Sequence, residues 1–172
     1  TRTLENNGFF IINDHSIDKN LIEKVFSVAE DIFSLPYETK YKYHVKGSNG
    51  ARGYTPYGIE TALNEKVADQ KEFWHQGSTT NKTLMPNLYM NEVEDFDVLD
   101  TLYSEFEKMG SEVLKAFSNF NIDYNADLVD SAVDGNSILR LIHYPATEGG
   151  NEHRARAHSD VDLITLLIGG NE

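Results

Sequence analysis

Near the end of the chain, His158 and Asp160 set an imidazole and a carboxylate two positions apart. From Val161 to Leu167 the run is apolar and β-branched, and Gly169-Gly170 closes it, so the pattern predicts a buried strand over 158–168 with a polar mouth. Side chains two apart on a strand share a face. One imidazole and one carboxylate on one face are two thirds of a facial triad, the donor set that holds non-haem Fe(II) and leaves positions open for O2 chemistry. The chain has 6 His among 172 residues and many acids, so H-x-D alone arises readily by chance, and a surface His–Asp pair is the bland alternative. Context strengthens the motif, because a second apolar strand, Ile138-Leu139-Arg140-Leu141-Ile142-His143-Tyr144-Pro145, ends shortly before it.

The elements that must position this pair follow from periodicity. GFFIIN over 8–13 predicts a short strand, and Ser16 or Asp18 can cap a helix over 18–35. Leu21, Ile22, Val25, Phe26, Ala29, Ile32 and Phe33 recur there at helical spacing, and Pro36 ends the run. Residues 40–60 predict a long loop with short extended pieces, and 69–77 another strand, with Phe73 and His75 on one face and Trp74 and Gln76 on the other. His75 could serve as a metal ligand, but a hydrogen-bonded structural histidine is the commoner role. After a loop over 78–91, a long amphipathic helix is expected over 92–119 with acids in its first turn, then a shorter one over 124–133. In 138–144, alternation puts Arg140, Ile142 and Tyr144 on one face and Leu139, Leu141 and His143 on the other.

LRLIHYP, a Gly-rich loop and RAHSDVDLITLL together resemble the isopenicillin N synthase-like, 2-oxoglutarate- and Fe(II)-dependent dioxygenases. Upstream, Gly8-Phe9-Phe10 with Asn13-Asp14-His15, Leu35-Pro36-Tyr37-Glu38-Thr39-Lys40, Arg52-Gly53-Tyr54 and Lys71-Glu72-Phe73 with Gly77 resemble that family's landmarks, in its order. The resemblance implies an α+β chain: an N-terminal helical region packed on a double-stranded β-helix (jelly-roll) core, of which only the first strands are present. It divides the chain into an N-terminal dioxygenase region over 1–91, scaffold helices over 92–135 and the start of the jelly-roll over 136–172. It implies that His158 and Asp160 are iron ligands, that Tyr144 binds 2-oxoglutarate and that Arg140, on the same face, points toward the substrate side, with a salt bridge at the barrel rim as its alternative; Arg52 and Tyr54, in the 40–60 loop, could line a substrate entrance, with an ion pair and plain packing as the commoner roles. A third ligand and an Arg-x-Ser for the far carboxylate of 2-oxoglutarate are expected beyond Glu172, so the chain is expected to be the N-terminal part of a longer protein. Fe(II), 2-oxoglutarate and O2 are the implied cofactors and co-substrates. The implied activity is oxidation, by default hydroxylation, of a small molecule with release of succinate and CO2. A 2-oxoglutarate-independent oxidase of the same fold and a catalytically inactive binding module are the rivals.

Composition bounds the partners. Hydrophobic content of 40% with 25% charged residues is ordinary for a globular chain. A net charge of −13 argues against nucleic acid and anionic membranes, so a small anionic substrate needs a locally placed Arg or Lys. With no Cys, disulfides, thiolate nucleophiles and iron–sulfur clusters are excluded, and a cytoplasmic location is expected.

Overall fold

The computed structural model describes residues 2–48, 50–59, 69–120, 128–133, 135–146, 160 and 162–170. Asp18 caps helix α2 (Lys19–Ser34) by accepting from the Asn20 amide at 2.9 Å, and Leu35 leaves it in extended conformation before Pro36. Val25, Val28, Ile32 and Phe33 form its buried stripe. A short helix α1 (Arg2–Asn7) precedes it, and α3 (Tyr37–Tyr41) follows directly after Pro36.

Strands β1 (Gly53–Thr55), β2 (Glu72–Gln76) and β3 (Leu139–His143) form one antiparallel sheet in the order β1-β2-β3. Tyr54 pairs with Trp74 and Trp74 with Leu141; Gly53 pairs with His75 and His75 with Arg140. The alternation read from the sequence therefore holds in both β2 and β3. One face, carrying Tyr54, Trp74, Leu139 and Leu141, joins the core formed by α2 and the long helix α4 (Val98–Phe120). Ile32, Leu99 and Trp74 are each 0% exposed at its centre. Trp74 meets Phe96 edge-on at 5.0 Å and Tyr43 at 5.8 Å, geometries that suit the ring quadrupoles. Helix α5 (Leu128–Val133) packs on α4.

Three expectations are corrected. Residues 9–13 form no strand; Phe9 and Ile11 are 64% and 77% exposed, and the segment has no ladder partner among the described residues. Local β propensity does not make a strand without a partner to take its backbone groups. The long helix begins at Val98 rather than 92, because Asp95 sits at φ 53 and residues 95–100 close i→i+3 turns first. Glu92 and Glu94 precede those turns, Asp95 and Asp97 lie within them, and Asp100 is the acid in the first turn of the helix itself. Finally, 162–170 is not in a strand; its even positions Ile164, Leu166 and Ile168 are half-buried while Leu163 and Leu167 are exposed. Ile164 and Leu166 lie against Gly110 of α4, so the period of two is used for packing on a helix. Among the described residues, no helix is long and apolar enough to cross a membrane.

Candidate functional site

The segments that resembled family landmarks meet on the sheet. Glu72, on the helix-facing side of β2, accepts from Lys40 Nζ at 2.9 and 3.0 Å, from the Tyr54 hydroxyl, and pairs with His143 Nδ1 at 2.8 Å. Lys40 also donates to the Phe33 carbonyl at 2.9 Å, and the His143 ring stacks on Phe33 at 5.1 Å. One buried carboxylate thus ties the end of α2 to α3 and all three strands. Burial works against its charge, but the bonds from Tyr54, His143 and Lys40 win and hold the Glu72 carboxyl below its usual range. Burial and Glu72 together push the Tyr54 phenol far up.

Arg52 is 1% exposed. Nη1 donates to the Ala51 carbonyl at 2.6 Å, while Nε and Nη2 have no hydrogen-bond partner among the described residues. Burial lowers its pKa. Gly77 gives it room, since a Cβ there would fall inside the radius of the guanidinium carbon. Arg52 and Tyr54, both candidates for a substrate entrance, therefore sit inside the fold, each 1% exposed.

The opposite sheet face carries Phe73, His75, Arg140 and Ile142. Arg140 is exposed, whereas Phe73 and His75 beneath it are 0% and 3% exposed. Arg140 Nε donates to His75 Nε2 at 2.7 Å, and its guanidinium lies 4.7 Å over the Phe73 ring. His75 stacks on Phe73 at 5.5 Å and 16°. Burial, then the charge of Arg140, pulls His75 down to about 3, so the imidazole is neutral and its Nε2 lone pair is the acceptor. The geometry gives His75 the structural role. The sequence did not reveal that it anchors Arg140, because that depends on the β2–β3 register. Lys71 Nζ is 5.2 Å above the same Phe73 ring and pairs with Asp69 at 2.8 Å.

Tyr144 is half-buried one residue past β3. Asp160 is exposed, and its Oδ2 accepts from Thr165 Oγ1 at 3.0 Å. His158 lies outside the described residues, among which no three His, Cys, Asp or Glu side chains gather to hold a metal. An imidazole nitrogen and a carboxylate oxygen are donors that suit Fe(II), so the chemistry of the pair fits that ion.

Known proteins share this architecture. Residues 1–93 match the family described as "non-haem dioxygenase in morphine synthesis N-terminal". A 2-oxoglutarate-Fe(II) type oxidoreductase of Metarhizium rileyi, ppzD, is 31% identical over 96% of this chain and 53% of its own length. A homoarginine-6-hydroxylase of Arabidopsis thaliana is 26% identical over 93% of this chain and 47% of its own. The solved structure of a 2OG-Fe(II) oxygenase family protein from Caulobacter crescentus superposes with a TM-score of 0.71 at 33% identity, covering 87% of this chain and 51% of that one. The chain belongs to the 2-oxoglutarate- and Fe(II)-dependent non-haem dioxygenase family. It spans about half the length of the curated relatives it matches.

Proposed function

We propose that this chain is the N-terminal portion of an Fe(II)- and 2-oxoglutarate-dependent oxygenase that hydroxylates a small molecule. In that reading 1–91 is the N-terminal dioxygenase region, 92–135 its scaffold, and 136–172 the first part of a jelly-roll domain. The observation that carries it is His158-x-Asp160 standing in a chain of this family. His158 and Asp160 would hold the iron. Bound there with 2-oxoglutarate, the metal would supply O2 activation, with the balance 2-oxoglutarate + O2 + R–H giving succinate, CO2 and R–OH.

The chain's own residues bind and orient. Tyr144 would donate its hydroxyl to 2-oxoglutarate. Arg140, exposed on the same side of the β3 alternation, would meet the substrate. Arg52, Tyr54 and Glu72 support this from within: they stiffen β1 and β2, against which β3 is registered. A rigid supporting layer keeps binding groups at productive distances. The relative named homoarginine-6-hydroxylase makes an amino acid a reasonable substrate class to test first.

The test uses the full-length protein with 2-oxoglutarate, Fe(II) and a reductant. Succinate should form, and His158→Ala and Asp160→Ala should each abolish it. Succinate formation undiminished in His158→Ala would refute the ligand assignment. Oxidation of substrate without 2-oxoglutarate consumption would instead identify the 2-oxoglutarate-independent oxidase. No turnover with any small molecule would favour the inactive binding module.

A further inference from the structure

We propose that His143, clamped between Glu72 and Phe33, is a positioning residue that aims the Tyr144 hydroxyl at 2-oxoglutarate. The inference rests on the oxygenase reading above, in which Tyr144 binds that co-substrate, and adds the residue through which its phenol is held.

Tyr144 lies just past the end of the ladder. Glu72 opens β2 and His143 closes β3, and the two residues are paired, so Tyr144 has no cross-strand partner on β2. Its own backbone is confined by Pro145, because the residue before a proline is held away from the helical region and kept extended. In an extended run, neighbouring side chains take opposite faces. The direction of Tyr144 therefore follows from how the His143 rung is held.

That rung is held twice. The His143 ring stacks on Phe33 at 5.1 Å and 24°, and its Nδ1 lies 2.8 Å from Glu72 Oε1. Glu72 is held ionised and can only accept, so Nδ1 carries the proton and donates. Glu72 is itself fixed: its side chain is 5% exposed and also accepts from Lys40 and the Tyr54 hydroxyl. Lys40 donates in turn to the Phe33 carbonyl at 2.9 Å, so the circuit Phe33–Lys40–Glu72–His143 closes on itself. A fully bonded buried network of this kind rigidifies its members. Stability does not account for His143 in it. Lys40 and Tyr54 satisfy Glu72 without the imidazole, and the His143 side chain, 39% exposed, adds little by burial. What its two contacts supply is orientation.

The test loads the full-length protein anaerobically with Fe(II) and measures 2-oxoglutarate binding by calorimetry, in which the stoichiometry reports the folded fraction and Kd reports the site. Tyr144→Phe, which removes the hydroxyl, should weaken binding about tenfold. His143→Phe keeps a ring on Phe33, removes the bond to Glu72 and leaves Glu72 its bonds from Lys40 and Tyr54; it should weaken binding by about the same factor. His143→Asn, whose amide returns a donor near the place of Nδ1, should restore most of the affinity. In the Tyr144→Phe background, His143→Phe should cost less than about twofold more, because the hydroxyl it aims is gone. If His143→Phe does not fold, Phe33→Leu removes the other hold and carries the same expectations at about threefold.

A histidine that only stabilises the fold would lower the stoichiometry or the urea midpoint and leave Kd unchanged, and that result overturns the positioning role. Equal losses from His143→Phe with and without the Tyr144 hydroxyl also overturn it, since the clamp would then not act through that group. An unchanged Kd in Tyr144→Phe overturns the inference together with the Tyr144 assignment, and leaves the oxygenase reading standing. Failure of the oxygenase reading is distinct: the wild-type protein would then neither bind 2-oxoglutarate nor form succinate.

Discussion

Acidification should weaken the fold through His75 in a defined window. Buried against Arg140, its imidazole titrates at about 3 in the folded protein, against about 6.5 when exposed. Between those values the unfolded chain binds one more proton than the folded one, so stability rises with pH through the window and is lost as pH falls below about 6.5. Each pH unit well inside the window is worth about 1.4 kcal/mol, which amounts to about 2 kcal/mol lost between pH 7 and pH 5. That is a sizeable part of the roughly 5–15 kcal/mol that stabilises an ordinary domain. Glu72 acts in the same sense, but its carboxyl starts from about 4.5 and is held lower, so its contribution is lost mainly below pH 5. The interval from pH 7 to 5 therefore isolates the histidine. Urea unfolding of the full-length protein and of His75→Gln at pH 7, 6 and 5 measures the effect, and the gap between them should change by about 2 kcal/mol in favour of the variant. A parallel loss in both proteins, or a His75 NMR titration centred near 6.5, would refute the reasoning.

Further outcomes are expected in equilibrium unfolding. Gly77→Ala should cost about 1–3 kcal/mol, because the new methyl must displace the buried guanidinium of Arg52, and Arg52→Ala should relieve most of that penalty in the double variant. Glu72→Ala should cost about 3–5 kcal/mol by leaving Lys40 charged and buried, and the paired change with Lys40→Met should recover part of it. Ile32→Ala, at the centre of the helix–sheet core, should cost about 2–5 kcal/mol by opening a cavity between α2 and its neighbours. A loss under 0.5 kcal/mol for Ile32→Ala would mean that the core assignment is wrong.

Much of the architecture was legible in the residues alone, because it depends on neighbours in sequence. Helix α2 announces itself by its apolar stripe, Asp18 at its start and Pro36 beyond its end. The alternation of 138–144 placed Arg140 and His143 on opposite faces, and β3 keeps them there. Family membership was also legible in short segments of the chain, and relatives at about 30% identity bear it out. What the sequence could not reveal are pairings between residues far apart along the chain. Arg140 meets His75 across 65 positions and Lys40 meets Glu72 across 32, and both contacts depend on strand register and helix docking. For the same reason GFFIIN misled: its composition favours a strand, but a strand exists only when another backbone accepts its hydrogen bonds. Asp95 shows the converse, since one left-handed residue moved the start of α4 to Val98 despite an unbroken apolar period. Local pattern decided which residues face together, whereas the tertiary structure decided what they face: a neutral, buried imidazole beneath Arg140 and a shared carboxylate beneath four of the family's landmarks.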